Sequence, residues 1–335
     1  MAETTPLLPL VENPAGPAEA NPADQAAGAP DPTADLAPGS LITRDGQLQF
    51  GGLLLGEGTP YPVDRSGLTG WDDLPELDLG DVLRPDQHGA WPGDRWAQSR
   101  LVGATLWLAP PAGTAPLATA RTLRAATGPD GGERWLAVRL LGETLAVRAR
   151  VSRRVVPQDR GYATQGVAKL SLQWTATDPR RYGIALHEAT TGLPSAEAGL
   201  SWDDANGPHL SWPLDWGSSG AAGSLTALND GSAAVRPLVE FHGPVQRPSL
   251  TRLSDGRQLQ YGIALGAGDV LTVDTQAGTV LLNGTASRLY TATPDSAPEQ
   301  LFQLDPGTTD LAFRADDTTP DPAARVTVRW RDGHW

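Results

Sequence analysis

Five histidines, His88, His187, His209, His242 and His334, are the residues best suited to metal binding or proton transfer, and they stand singly along the chain. None falls in an H-E-x-x-H run or another spacing that would set two imidazoles on one face. Serine nucleophiles of the hydrolase type need a G-x-S-x-G elbow. The nearest stretch, Gly217-Ser218-Ser219-Gly220-Ala221, has the wrong spacing and reads as a flexible linker. No G-x-x-x-x-G-K-[ST] loop is present to cradle phosphates, and the only lysine, Lys169, lies inside a strand pattern. The chain has no Cys, which removes thiol catalysis, disulfides, and Cys-ligated zinc or iron-sulfur clusters. Asp72-Asp73, Asp203-Asp204 and Asp316-Asp317 carry charge suited to calcium, but none opens an EF-hand loop. Two carboxylates suffice for a glycosidase, so a wall-degrading enzyme has plentiful acids behind it and no motif. The reading is no enzyme, with no catalytic residue, no cofactor and no metal ligand.

Trp202, Trp212 and Trp216 are the better candidates for binding, because an indole face stacks on a sugar ring. Their other reading is apolar area buried in a core or an interface. Formal net charge is -13 over 335 residues, and six acids precede Arg44 with no base among them. Such a chain repels phosphate backbones, which argues against nucleic acid as a partner. No secretory signal is visible, since Leu7-Leu8-Pro9-Leu10-Val11 is too short and is broken by Pro. No apolar run approaches membrane-spanning length, so no membrane insertion is expected and the chain should be soluble when made.

The elements that would carry these residues are strands. Residues 1–38 are Pro, Ala and acids without an apolar period, and read as an extended or disordered arm. Order is expected from Leu41, with a hairpin of Leu41-Ile42-Thr43-Arg44 and Gln47-Leu48-Gln49-Phe50 about Asp45-Gly46. Residues 51–100 read as loops and short strands that make contacts more than core. Residues 101–108 read as a strand ended by Pro110-Pro111, followed by a short helix from Pro116 to Gly128 with Leu117, Ala120, Leu123 and Arg124 at helical spacing. Alternation then marks strands over 135–141, 145–152 and 169–174. Residues 183–224, rich in Trp and Gly, read as a long connection with short strands. A second β block occupies 225–335, with turns at Asp255-Gly256, Gly266-Ala267-Gly268 and Asn283-Gly284 and a clear last strand through Val326, Val328 and Trp330.

Several segments, taken in order, carry a family resemblance. They are Arg84-Pro85-Asp86-Gln87-His88-Gly89 before Trp91-Pro92-Gly93, then Ala176-Thr177-Asp178-Pro179-Arg180-Arg181-Tyr182, then Asn229-Asp230-Gly231 and Arg236-Pro237 through Gly243-Pro244. The series resembles the distal tail proteins of long-tailed, siphovirus-type bacteriophages, in particular minor tail proteins of phages infecting actinobacteria. The resemblance covers about residues 41 to 335, and only the Asp-Pro and Asn-x-Gly segments are individually specific.

It implies an all-β chain with a short helix. A tail-hub β-sandwich over 39–182 would close into a hexameric ring, and a galectin-like β-sandwich would follow at 225–335. As partners it implies further copies of the chain, the tail tube protein and tail-tip or baseplate proteins, with a host surface glycan as the adhesion alternative. It places the protein in the virion after assembly in the host cytoplasm. Arg84, His88, Gly89, Asp178, Pro179, Arg180, Tyr182, Asn229, Gly231, Pro237, Gly243 and Pro244 are then structural, with Asp178 bonding the backbone amides ahead of it.

Overall fold

The computed structural model describes residues 31–129, 132–195, 221–317 and 321–335. In the first half, strand Arg100–Leu108 buries Val102, Ala104, Leu106 and Leu108 and turns Leu101 and Trp107 outward, as the period of two requires. It pairs antiparallel along its whole length with Ala168–Ala176, whose Leu170, Leu172 and Trp174 face the same interior. Strand Glu143–Val155 is the hinge between two layers. Its first half pairs with Arg134–Leu140 and its second half with Ala168–Ala176. A bulge between Val151 and Arg153 lets the strand bend from one layer to the other. The path of the sheet is Leu53–Leu55, Leu48–Phe50, Arg134–Leu140, Glu143–Val155, Ala168–Ala176, Arg100–Leu108, Val63–Thr69. It folds about a core that includes Phe50, Leu106, Val147 and Trp174.

The helix expected after Pro111 forms as Pro116–Ala126, with Pro in its first turn. It packs through Thr119, Ala120, Leu123 and Ala126, so the inward stripe is displaced from the one expected and Leu117 faces solvent. A second short helix, Arg160–Gln165, was not foreseen. Asp159 caps it by accepting from the Tyr162 amide at 2.8 Å, and Gly166 ends it in the left-handed region.

The expected hairpin about Asp45-Gly46 does not form. Strand Leu48–Phe50 turns instead at Gly51-Gly52 and pairs with Leu53–Leu55. Residues 41–44 have no ladder partner; buried glutamines hold them. The Gln47 side-chain oxygen accepts from the Thr43 and Arg44 amides, and Gln49 accepts from the Leu41 amide while donating to Ala37 O and Gly51 O. Order also begins before Leu41. The Thr33 carbonyl accepts from Arg134, and Asp35 accepts from the Trp135 amide and from Arg148. A Cβ on Gly52 would sit 1.9 Å from Asp31 O, so only Gly admits the chain crossing there.

Residues 77–97 leave the sheet as a hairpin of their own. Leu77–Leu79 pairs with Arg95–Ala97, and Val82–Leu83 pairs with Ala90–Trp91. Neither pair joins another strand among the described residues.

In the second half two sheets face each other. One runs His187–Gly192, Arg325–Trp330, Leu238–His242, Val270–Asp274, Thr279–Leu282, Ala286–Ser287; the other runs Ser224–Asn229, Gly307–Arg314, Ser249–Arg252, Gln258–Gln260. Phe241, Tyr261, Phe302, Phe313 and Val328 are among the buried side chains between them. Strand His187–Gly192 comes from the expected connection 183–224, so that segment supplies an edge strand to the second sandwich. Asn283 and Gly284 both take positive φ at their turn, as Asn-Gly readily does.

Gln49 is fully buried and makes four bonds, three of them to the entering chain. Gln49→Leu keeps the volume and removes all four. We expect a loss of about 2 kcal/mol in urea unfolding, with faster amide exchange confined to residues 37–44 and unchanged protection in strand Ala168–Ala176.

Candidate functional site

Residues 178–183 join the two halves. Strand Arg181–Gly183 pairs with Leu145 and Ala146 of the first half and, on its other side, with the C-terminal strand Gly333–His334. A single backbone ladder therefore runs from one body into the other. A protein joint of this kind is stiff, because its hydrogen bonds are shielded and shared.

Side chains of the same segment reinforce it. Asp178 receives both ends of the Arg180 guanidinium, Nε to Oδ1 and Nη2 to Oδ2, each at 2.8 Å. Its Oδ1 also accepts from the Arg180 amide at 3.2 Å, and its Oδ2 from the Tyr182 hydroxyl at 2.6 Å and from Gln276 at 3.1 Å. The expected bond to the amide ahead is there, within a larger network. Arg180 reaches on to Ala234 O at 2.7 Å and Gln276 Oε1 at 3.2 Å, both in the second half. Burial pushes the Asp178 pKa upward, but the Arg180 guanidinium and Tyr182 hydroxyl outweigh it and hold the carboxyl below its ordinary value. Burial and the neighbouring carboxylate push the Tyr182 hydroxyl well above its ordinary value, so it stays a donor.

Pro179 contributes its carbonyl, which accepts from Arg100 Nε at 2.8 Å. Arg100 is almost wholly buried, and its Nη1 donates to Gly70 O, Trp71 O and Asp73 O. The base of the 77–97 hairpin is thereby fastened to the joint. Arg181 bonds Asp72 and the Trp335 carbonyl, adding a second fastening.

The Asn-x-Gly segment meets the same joint from the other side. Asn229 is buried; its Nδ2 donates to Ala233 O at 2.9 Å, and its Oδ1 accepts from the amides of Gly231 and Gly333. A Cβ on Gly231 would lie 1.9 Å from Gly333 O, which excludes any larger residue. Gly333 in turn pairs with Tyr182, so the two specific motifs converge on one residue that was not singled out.

The remaining candidates lie elsewhere. Arg84, His88 and Gly89 form the tip of the 77–97 hairpin, where the Arg84 amide donates to Gly89 O and the guanidinium lies 5.7 Å from the Trp91 ring centroid. Pro237 accepts from Thr275 Oγ1 at 2.6 Å inside the second sandwich. Gly243-Pro244 is a cis peptide, with Gly243 packed where a Cβ would meet Gly266 O at 2.2 Å. Trp202, Trp212 and Trp216 lie outside the described residues.

Arg100 was missed by sequence reasoning. Its signal was present, since Arg100 shares the inward register of Val102, Ala104, Leu106 and Leu108, and a charge in that register must be satisfied internally. Gln276 and Gly333 carried no comparable signal.

No group of three or more His, Asp or Glu among the described residues is placed to hold a metal. Two of the acid pairs have other partners: Asp72 meets Arg181, Asp73 accepts from the Gly70 amide, Asp316 faces Arg247, and Asp317 accepts from the Gln246 amide; Asp203-Asp204 lies outside the described residues. His187 bonds Asp332 at 2.8 Å and stacks on Trp330.

The family model of the siphovirus-type tail component, C-terminal domain, matches residues 230–334. Those residues are similar to that domain. The match begins inside the Asn-x-Gly motif and ends on the strand that closes the joint. Among solved structures, the Dit protein of phage SPP1 covers 85% of this chain and 98% of its own at 13% identity, with a TM-score of 0.55. That protein is described as a paradigm of the hub adsorption apparatus in phages infecting Gram-positive hosts. A chain of the phage P2 baseplate in its activated conformation with Ca covers 83% of this chain and 93% of its own, at 8% identity and TM-score 0.49. No curated protein matches in sequence. The distal tail resemblance and the mainly β fold hold.

Asp178→Asn leaves Arg180 buried without its counter-charge, both side chains being nearly enclosed. We expect a loss of about 3 kcal/mol at pH 7. Because folding lowers the Asp178 pKa, its contribution is complete above the ordinary carboxyl pKa of about 4 and disappears as pH falls through the lowered folded value. Chemical unfolding across pH should show the gap between wild type and variant closing over that interval.

Proposed function

We propose that this chain is a structural protein of the distal tail of a siphovirus-type particle. In this reading its first body closes into a ring, six-fold by the family resemblance, that joins the tail tube to the tip. The family match over residues 230–334, together with a fold that spans nearly all of the SPP1 Dit chain, carries the distal-tail part of the reading. The relatives compared are tail, hub and baseplate components, and a structural role needs no catalytic group.

Ring closure has physical support in the 77–97 hairpin. It pairs with no other strand among the described residues, and Leu79, Val82, Leu83, Trp91 and Trp96 are exposed on it, Leu83 at 81% and Trp96 at 69%. A two-stranded hairpin is marginal alone, and an apolar surface of this kind is a hazard unless another molecule covers it. A head-to-tail contact repeated around a ring covers every copy equally. Arg100 and Arg181 fix the base of the hairpin to the interdomain joint, so the projection is held at a set angle to the second sandwich. Assembly would take place in the host cytoplasm, and the product would reside at the tail tip.

An adhesive role at the particle's tip attaches to Trp202, Trp212 and Trp216, which lie outside the described residues. Replacing the three tryptophans by Ala and measuring pulldown by host cell wall tests it; binding that persists unchanged would remove sugar contact through these rings.

Light scattering coupled to size exclusion should give a closed oligomer for the wild type. The pair Leu83→Asp and Trp96→Asp should give a monomer with an unchanged far-ultraviolet spectrum, since neither side chain is in the core. A wild type that stays monomeric and tails that assemble without the protein would overturn the ring.

A further inference from the structure

Charge is unevenly placed in the first body. Residues 72–97, which make the projecting hairpin and its base, hold seven acids and two arginines, a net charge of -5. Asp72 meets Arg181, Asp73 accepts from the Gly70 amide, and Asp81 accepts from the Gly93 amide. Glu76, Asp78, Asp86 and Asp94 are exposed and meet no basic side chain among the described residues. The register sets Asp78 opposite Trp96, and Asp94, two residues before Trp96, shares their face. That face of the hairpin is acidic and aromatic at once.

The opposite charge gathers around the two helices. Across residues 116–126, 150–155 and 159–165 there are six arginines and one acid, Asp159, a net charge of +5 in a chain whose total is -13. Asp159 is engaged in capping the second helix. Acids that pack nearby are engaged as well, Glu133 with Thr177 and Asp64 with Lys169. Helix Pro116–Ala126 buries Thr119, Ala120, Leu123 and Ala126, which leaves Leu117, Arg121 and Arg124 on its outer side at the spacing of one helical face. Leu117 is 53% exposed. Arg154 comes alongside, its Nη1 donating to the carbonyls of Arg124 and Thr127, and Arg124 Nη2 donates to the Tyr162 hydroxyl at 2.6 Å. Arg121, Arg124 and Arg154 meet no carboxylate among the described residues, so the outer side of this helix is cationic and apolar.

The two surfaces lie toward opposite ends of one strand. The hairpin leaves the sheet at Arg100, the start of strand Arg100–Leu108, and the helix begins beyond the far end, where Pro116 lies against Gly166 just before Ala168 pairs with Leu108. Nine strand residues span roughly 30 Å. Each copy therefore offers one surface at each end, which is the arrangement of a head-to-tail contact.

We propose that the hairpin of one copy seats on the outer side of helix Pro116–Ala126 of the next copy, with Asp78 and Asp94 against Arg121 and Arg124 and with Trp96 against Leu117. The contact rests on the ring reading and names the two surfaces that close the ring. Apolar area supplies attraction and charge sets direction. Hairpin on hairpin, or helix on helix, would bring like charges together, so the head-to-tail order is selected against both.

Two variants of the full chain test this, one with Asp78→Arg and Asp94→Arg, the other with Arg121→Glu and Arg124→Glu. In light scattering coupled to size exclusion, the wild-type oligomer should weaken as salt is raised. Each variant alone should associate roughly a hundred-fold more weakly than wild type, with an unchanged far-ultraviolet spectrum. Mixed in equal amounts, the two should reassemble, because each reversed hairpin then finds a reversed helix and each native hairpin a native helix. A six-fold ring admits that alternation. Both variants stay acidic overall, so bulk attraction does not drive the mixing. Variants that match a wild-type oligomer, or a mixture that stays dissociated, would overturn the contact and leave the ring standing. A wild type with no oligomer at any salt would overturn the contact together with the ring on which it rests.

Discussion

The bidentate pair of Asp178 and Arg180 is the interaction on which the arrangement of this protein depends. Two ions removed from water are costly unless every donor and acceptor is met, and here Tyr182, Gln276, Ala234 and a backbone amide complete the set. The pair sits at the point where the chain leaves one sandwich and enters the other. Its geometry holds only if both bodies are in place, so the ion pair acts as a lock on their relative orientation more than as a source of net stability.

Around that lock the chain repeats one device, a polar residue placed inside to hold a segment that lacks ladder partners. Gln47 and Gln49 hold residues 37–44, Arg100 holds the base of the projecting hairpin, and Asn229 holds Gly231 and Gly333. Each buried side chain has several partners, the condition under which burial of polarity is tolerated, with Nη2 of Arg100 the one nitrogen among them that finds none among the described residues. Two of these devices meet at the joint. Arg100 touches Pro179, and Gly333 pairs with Tyr182.

This gives the assembly reading its mechanical sense. A hairpin with exposed Leu and Trp side chains transmits force only if its base is rigid, and the second sandwich projects at a defined angle only if the linker cannot swivel. Both conditions are met by backbone pairing and charged bonds in a segment of six residues.

The strand content, the major helix and the order of the motifs were legible in the sequence. These rest on local alternation, on Pro and Gly punctuation, and on which residue types are present. Strand Ala168–Ala176 and turn Asn283-Gly284 were legible for that reason. Only the tertiary structure decided that Asp45-Gly46 is not a hairpin turn, because buried Gln47 and Gln49 offered residues 41–44 better partners than a facing strand. Only it decided that Asp178, Asn229 and the unremarked Gly333 form one joint, and that Arg84, His88 and Gly89 cap a separate projection. Contacts between residues a hundred positions apart leave no period in the sequence; they follow from which surfaces the folded bodies bring together.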